Sequence, residues 1–425
     1  MVTFLNKREL VKILKSSIES ACLDASTSTA LEHCPDVDVE DPERLVQISR
    51  SNSHDTKLVC PIFGVSLYPS TIANVAWADN ETLFTCRLKA EATDGLIEEK
   101  SVELLLSDHL KGEVSLDEFC TKLRKASHIV VRCAYCTEDL LAEKIRIKKA
   151  YPLPCDNWQD MVPNLDFFCC TNDEPEDKCT EAKGRKESGS PPSEDQCLVS
   201  DSYFLLQKRT TAGHVAEKSG GCLQCAHCLT EIGTVFKGPS DTEVYKLYHA
   251  VVNLSTSDDI ASNFFAKRFG SIERYFAWLF LSRSKIQSSM KFIVRSLEQN
   301  PKIMVWLLES YSVMVRGEMV EVKNESTDLD SNEQNKISLE NLKLEDGATS
   351  RPFPCLKVLY RVYDDPQSPD PVANGAEPSV GNVEQPQSTA LALHASLLHS
   401  SQTLPSACRA VGTFYVGYLS MADEL

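Results

Sequence analysis

Cys133-Ala134-Tyr135-Cys136 and Cys225-Ala226-His227-Cys228 are the two stretches on which the reading of this chain turns. The first follows a run with strand character, His128–Arg132. The second follows a glycine-rich turn, Ser219-Gly220-Gly221. Each is succeeded by a few polar residues and then an apolar run, Leu140-Leu141 in one case and Ile232 through Phe236 in the other. Strand, Cys-x-x-Cys turn and strand make a knuckle. The two-residue spacer lets both thiolates point at one ion, while the turn amides hydrogen-bond to the sulfurs. Two knuckles supply four soft ligands, so the pattern predicts one structural zinc ion held by Cys133, Cys136, Cys225 and Cys228. Two other readings stay open. A redox pair would want a strand-to-helix setting like that of thioredoxin, which is absent here. Buried thiols that only pack are common in protein cores. Cys222-Leu223-Gln224-Cys225 offers an overlapping register, so Cys222 competes with Cys228 as a ligand. His227 lies inside its turn and is read as facing solvent.

Outward from the knuckles, most of the chain reads as strand. Lys57–Ile62, Thr82–Leu88, Val102–Leu106, Ser202–Leu206 and Val244–Leu254 carry strand character, and Thr82–Leu88 alternates between two faces. Further strands are expected at Lys291–Leu297, Ile303–Leu308, Ser312–Val315 and Leu356–Val362. An N-terminal helix is predicted by Asn6 with Glu9 at capping-box spacing, followed by Leu10, Leu14 and Ile18 on one face. A second helix is predicted where Ile272, Tyr275, Phe276, Leu279 and Phe280 recur after Gly270. The tail returns to order as a short helix over Leu391–Leu398 and a strand over Val411–Leu419.

The fold class expected is therefore α+β and mainly β, as a single zinc-linked body with long disordered acidic insertions. Three segments organise it: an N-terminal helix and β-rich region over 1–127, the knuckle and docking region with the central helix over 128–320, and a C-terminal region over 321–425.

Of the 425 residues, 42% are hydrophobic and 25% charged, an ordinary globular composition. The net charge is −17. Three stretches carry most of it: Thr171–Cys197 with net −4, Glu321–Gly347 with −5 and Asp364–Ser388 with −5. They read as disordered loops, at 171–197, 321–351 and 364–388, and leave the packed remainder nearly neutral. With no basic patch, direct nucleic-acid binding is disfavoured. No apolar run is long enough for a membrane helix, and no signal-peptide core is seen, so no membrane association is expected. Seventeen cysteines in such a chain point to metal or chemistry rather than disulfides.

One more cluster stands out: Pro152 and Pro154 in Tyr151-Pro-Leu-Pro154, then Trp158, then Cys169-Cys170 after two phenylalanines. Proline-rich, aromatic and followed by acidic chain, it reads as a surface docking element whose thiols could reach a partner's metal. An equal reading places Trp158 and the phenylalanine pair in the core.

Taken in order, Cys133/Cys136, Pro152–Trp158, Cys169-Cys170, an acidic gap, Cys225/Cys228, Trp306-Leu307-Leu308 and Lys357–Tyr360 resemble a known family. It is that of the HECT-like E3 ubiquitin ligases that bind an E2 ubiquitin-conjugating enzyme and a B-type cyclin. The resemblance implies ubiquitin transfer through a cysteine thioester, with E2 and ubiquitin as partners, a B-type cyclin as a further one, and a cytoplasmic and nuclear location. The family's cysteine stands in the tail, after Leu-Pro, two small residues and Thr, just before an apolar helix. Here that stretch is Gln385-Pro-Gln-Ser-Thr-Ala-Leu391, and Ala390 occupies the cysteine's place. Cys408, in Leu404-Pro-Ser-Ala-Cys408 and beside Arg409, is the candidate nucleophile that remains. The resemblance also implies an alternative. Relatives are linked to the metal-dependent endonuclease of pre-mRNA 3′-end processing. The chain would then be a non-enzymatic chaperone or scaffold that docks this nuclease through Pro152–Cys170. A zinc-stabilised interaction protein without enzyme activity is a third reading.

Overall fold

The structure is a computed structural model that describes residues 2–5, 45–49, 56–61, 65–78, 83–92, 114–153, 192–211, 213–237, 243–261, 263–298, 302–315, 320–323, 352–363, 370–373 and 377–421. Five strands come first: β1 Val2–Leu5, β2 Leu45–Ser49, β3 Thr56–Pro61, β4 Val65–Ala78 and β5 Leu83–Ala92. Helix α1, Leu116–Lys125, leads into β6 Ile129–Cys133, β7 Lys149–Pro152, β8 Gln196–Val199 and β9 Tyr203–Gln207. Next are β10 Val215–Glu217, β11 Cys222–Cys225, β12 Glu231–Lys237, β13 Glu243–Tyr248 and β14 Val252–Thr256. Helices α2 Phe264–Phe269 and α3 Ile272–Gln287 precede β15 Lys291–Ser296, β16 Lys302–Val315, β17 Val320–Lys323, β18 Pro352–Tyr363 and β19 Val380–Gln385. The chain closes with α4 Gln387–Gln402, β20 Ala410–Val411 and β21 Phe414–Ser420. It is an α+β fold, mainly β. No helix among the described residues is long and apolar enough to cross a membrane.

Packing divides the chain into two compact units where the sequence suggested one body. One comprises 1–101, 309–357 and 399–422; the other comprises 102–308, 358–398 and 423–425. Each gathers separated segments, which a linear reading of composition does not register. In the first unit β1, β5 and β4 form one sheet, and β17, β3 and β2 another.

The second unit holds the knuckles. Its seven-stranded sheet has the order β10-β11-β12-β13-β9-β8-β7, and a separate ribbon pairs β14 with β6. In β6 residues alternate between buried and half-buried, and Ile129, Val131 and Cys133 point into the core. Helix α1 is capped by Ser115, whose hydroxyl accepts the Glu118 N–H at 3.1 Å. Acidic residues in its first turn and basic ones in its last complement the helix dipole, and Phe119, Cys120 and Leu123 are buried. Ser115-x-x-Glu118 is capping-box spacing, a signal present in the sequence but not used in its reading. Helix α3 matches the predicted apolar periodicity. Ser271 caps it, and every residue from Arg274 to Leu281 is buried. A buried ion pair joins β8–β9 to α2: Asp201 accepts from Arg268 Nε at 2.8 Å.

Several sequence expectations need correction. Val244–Leu254 is two strands around a turn at His249, not one run. Ile303–Leu308 and Ser312–Val315 belong to one continuous strand, β16. The tail helix is longer than expected, beginning at Gln387. The acidic stretch 364–388 contains a strand: β19 pairs in parallel with β15, from Lys291↔Val380 to Ser296↔Gln385. Its charge misled because net charge averages over both faces of a strand. Val380, Val383 and Gln385 face inward, and Glu384 is exposed. Gln196 and Cys197 likewise lie in β8, and Val320–Lys323 in β17. The rest of these acidic stretches falls largely outside the described residues, as do the predicted N-terminal helix and Val102–Leu106.

His249 sits wholly buried among aromatic rings, 4.6 Å from Phe264 and 5.1 Å from Phe204 between centroids. Burial pushes its pKa down to about 3, against the backbone of Ser200, which works the other way. The unfolded imidazole takes up a proton below about pH 6.5, the folded one only near 3. Stability from this residue is therefore full above pH ~6.5 and drains away as pH falls through that window. Replacement His249→Phe, which suits the aromatic surroundings, should flatten the loss of stability between pH 6.5 and 4. Urea unfolding at several pH values checks this, and an unchanged pH slope would refute it.

Candidate metal centre

The two knuckles are built alike. In the first, β6 delivers Cys133, held opposite Val252 of β14. The Thr137 N–H donates to the Cys133 carbonyl at 3.0 Å, and the Cys133 N–H to that of Glu138 at 3.0 Å. In the second, β11 delivers Cys225. The Leu229 N–H donates to the Cys225 carbonyl at 2.9 Å, and the Cys225 N–H to that of Thr230 at 3.0 Å. Thr137 and Leu229 occupy the same place after their knuckles, with φ of 61° and 60°. Two non-glycine residues in left-handed conformations mark turns shaped by something stronger than local preference.

What the turns achieve is convergence. Cys133 Sγ lies 3.6 Å from Cys228 Sγ, and Cys136 Sγ lies 3.6 Å from Cys225 Sγ. All four sulfurs lie within 4.8 Å of one another. A tetrahedral ion with metal–sulfur bonds near 2.3 Å requires sulfur separations of roughly 3.8 Å, so the thiols fit a closed four-thiolate site. None is in a disulfide. The four cysteines expected as ligands are thus brought together. Cys222 is not among them, so the register runs through Cys228. His227 and Tyr135 are exposed at the knuckle tips, as is Leu229.

Electrostatics separate Cys133 and Cys225 from Cys228. Burial pushes Cys133 up to about 12, opposed by the amides of Cys136 and Tyr135. Burial also raises Cys225, opposed by the amides of Cys228 and His227. At Cys228 burial acts upward, but the Thr230 hydroxyl and amide with the neighbouring thiols outweigh it and bring the pKa to about 6. The Thr230 hydroxyl is 3.3 Å from Cys228 Sγ. Cys228 accordingly offers a thiolate more readily than Cys133 or Cys225, and a bound cation would favour the deprotonated form of those two as well.

The remaining sequence candidates are spread more widely. Pro152 ends β7, the edge strand of the seven-stranded sheet, where its missing N–H costs no ladder bond. Pro154, Trp158, Cys169 and Cys170 fall outside the described residues. Ala390 lies in α4 and is fully buried, beside buried Thr389. Cys408 ends a short 3₁₀ turn over Ser406–Cys408, half-buried, with its pKa raised by burial. The Arg409 guanidinium is engaged by two carbonyls, those of Leu404 at 2.8 Å and Gln402 at 3.0 Å.

A mainly β protein with paired knuckles around a four-cysteine centre is what the fold and site define. Residues 14–416 match the family of HECT-like ubiquitin-conjugating enzyme (E2)-binding proteins, and the chain belongs to that family. Among curated proteins it is similar to one from Pongo abelii named as an E3 ubiquitin-protein ligase. The two are 22% identical over 362 residues, covering 79% of this chain and 83% of the relative. The Homo sapiens protein of the same name is 23% identical over 311 residues, covering 68% and 72%. No solved structure matches.

A bound structural ion contributes on the order of 10 kcal/mol to folding. Stripping metal from the full chain with a chelator should therefore lower its melting temperature sharply, and Cys133→Ala should remove most of that response. Thermal melts with and without chelator test this. Identical melting of the intact and the stripped wild type would exclude a structural ion.

Proposed function

We propose that this chain promotes ubiquitination of protein substrates by binding a charged E2, as a ligase or adaptor that forms no thioester of its own. One zinc ion on Cys133, Cys136, Cys225 and Cys228 braces the knuckle region. The match over residues 14–416 to an E2-binding family is the observation that carries the E2 half of this reading. The curated relatives' name, E3 ubiquitin-protein ligase, agrees with it. The choice of zinc rests on four thiolates, a soft set that suits a closed tetrahedral ion.

The non-covalent half rests on the tail. A thioester nucleophile must be exposed and held as a thiolate. Ala390 has no thiol, and its helical position is sealed from solvent. Cys408 is half-buried, its thiol is raised by burial, and Arg409 spends its charge on carbonyl groups. These features favour direct discharge from E2 to a lysine.

Purified full-length chain incubated with charged E2 and free lysine should speed the discharge of ubiquitin. It should form no adduct that a reducing agent releases, and Cys408→Ala should behave as wild type. A reducible ubiquitin adduct that disappears in Cys408→Ala would overturn the non-covalent mechanism. Failure to bind or discharge any E2 in a panel would overturn the E2 reading itself and favour the nuclease-docking scaffold.

A further inference from the structure

Cys222, left out of the four-thiolate centre, has partners of its own. It opens β11, Glu231 opens β12, and Glu298 follows β15 by two residues. The Cys222 Sγ and one carboxylate oxygen from each glutamate lie within 4.8 Å of one another. Cys222 and Glu231 are both buried, each 4% exposed. Glu231 Oε2 accepts the N–H of Gln387, the first residue of α4, at 2.7 Å. Its Oε1 is buried as well and makes no hydrogen bond of proper geometry, although the Leu297 backbone amide is near enough to act on the carboxylate. Such an oxygen has given up water and received little in return, a costly state that proteins seldom keep without a ligand to relieve it. The nearest balancing charge is Lys218, whose ammonium is 2.5 Å from Glu298 Oε1. Both those side chains are close to half exposed, so that ion pair is weakly held.

We infer that Cys222, Glu231 and Glu298 form a second metal site, for a borderline divalent ion of the zinc type. The donor set argues for this class. A thiolate disfavours calcium and magnesium, and a mixed sulfur and carboxylate set suits zinc or cobalt. Ideal sulfur–oxygen separations around such an ion are roughly 3.5 Å, so the donors close by about an ångström or less of movement each. Glu298, exposed and just past the end of its strand, is the donor free to move. The ion displaces Lys218 from Glu298, takes the proton's place on Cys222, and leaves a fourth position to water. It would also fasten the β11–β12 hairpin to the chain following β15.

The full chain, stripped of metal under reducing conditions, is titrated with Zn²⁺ against a chromophoric chelator. Wild type should take up two equivalents. Glu298→Ala, on the surface and harmless to folding, should weaken the second by at least about tenfold, or ~1.4 kcal/mol. Cys222→Ser should abolish it, and neither change should disturb the first. With Co²⁺, the first equivalent should give intense thiolate-to-metal absorption and the second a much weaker band that Cys222→Ser removes. A single equivalent in wild type, or a second equivalent that survives Glu298→Ala and Cys222→Ser unchanged, would overturn the site. Either result leaves E2 binding untouched, because that reading does not depend on a second ion.

Discussion

Four sulfur atoms, two from strand ends and two from the turns that follow them, share one small volume, and the second unit is arranged around that convergence. β6 and β11 belong to different sheets, yet Cys133 and Cys225 lie in the same cluster of buried apolar side chains. The hydrophobic core and the polar centre therefore use the same residues. Without an ion Cys133 and Cys225 behave as small hydrophobes, kept protonated by burial. With one they become thiolates, and the amides already aimed at them stabilise the charge. A bound ion would also offset the left-handed backbone at Thr137 and Leu229. Each costs on the order of 1 kcal/mol, small against what a four-thiolate ion returns.

The knuckles were legible in the sequence because their chemistry is local. A Cys-x-x-Cys spacing between strands describes nearly the whole turn, and a second copy supplies the other half of the centre. Helix α3 was legible because Ile272, Tyr275, Phe276, Leu279 and Phe280 repeat at its period. What failed was anything decided by partners distant in the chain. β19 looked like acidic linker, and only its pairing with β15 sorts its side chains into an inner and an outer row. Cys222 could be noticed, but not its meeting with Glu231 and Glu298, which requires three strand ends to be folded together. Helix α1 is the contrasting case, missed although Ser115 and Glu118 announce it.

The family relationship spans nearly the whole chain, yet the position the resemblance assigns to a nucleophile is an alanine packed into a helix. A methyl group there completes an apolar surface, as Leu393 and Leu397 do further along α4. Cys408 lies beyond the helix in a turn that solvates it only partly. An alanine at that position is compatible with binding that involves no covalent transfer.

The parallel pairing of β19 with β15 also orders events in time. Antiparallel neighbours such as β15 and β16 can zip up as soon as both have emerged, whereas β15 gains its other partner only after some 80 further residues have been made. At synthesis rates of roughly 5–20 residues per second, one edge of β15 stays open for several seconds, its backbone groups a template for any other extended chain. Helix α4 follows at once, tied by the Gln387 amide to Glu231 of a strand made long before. The C-terminal segment thus closes the sheet late, and a nascent chain halted before Val380 would present that unfinished edge to its neighbours.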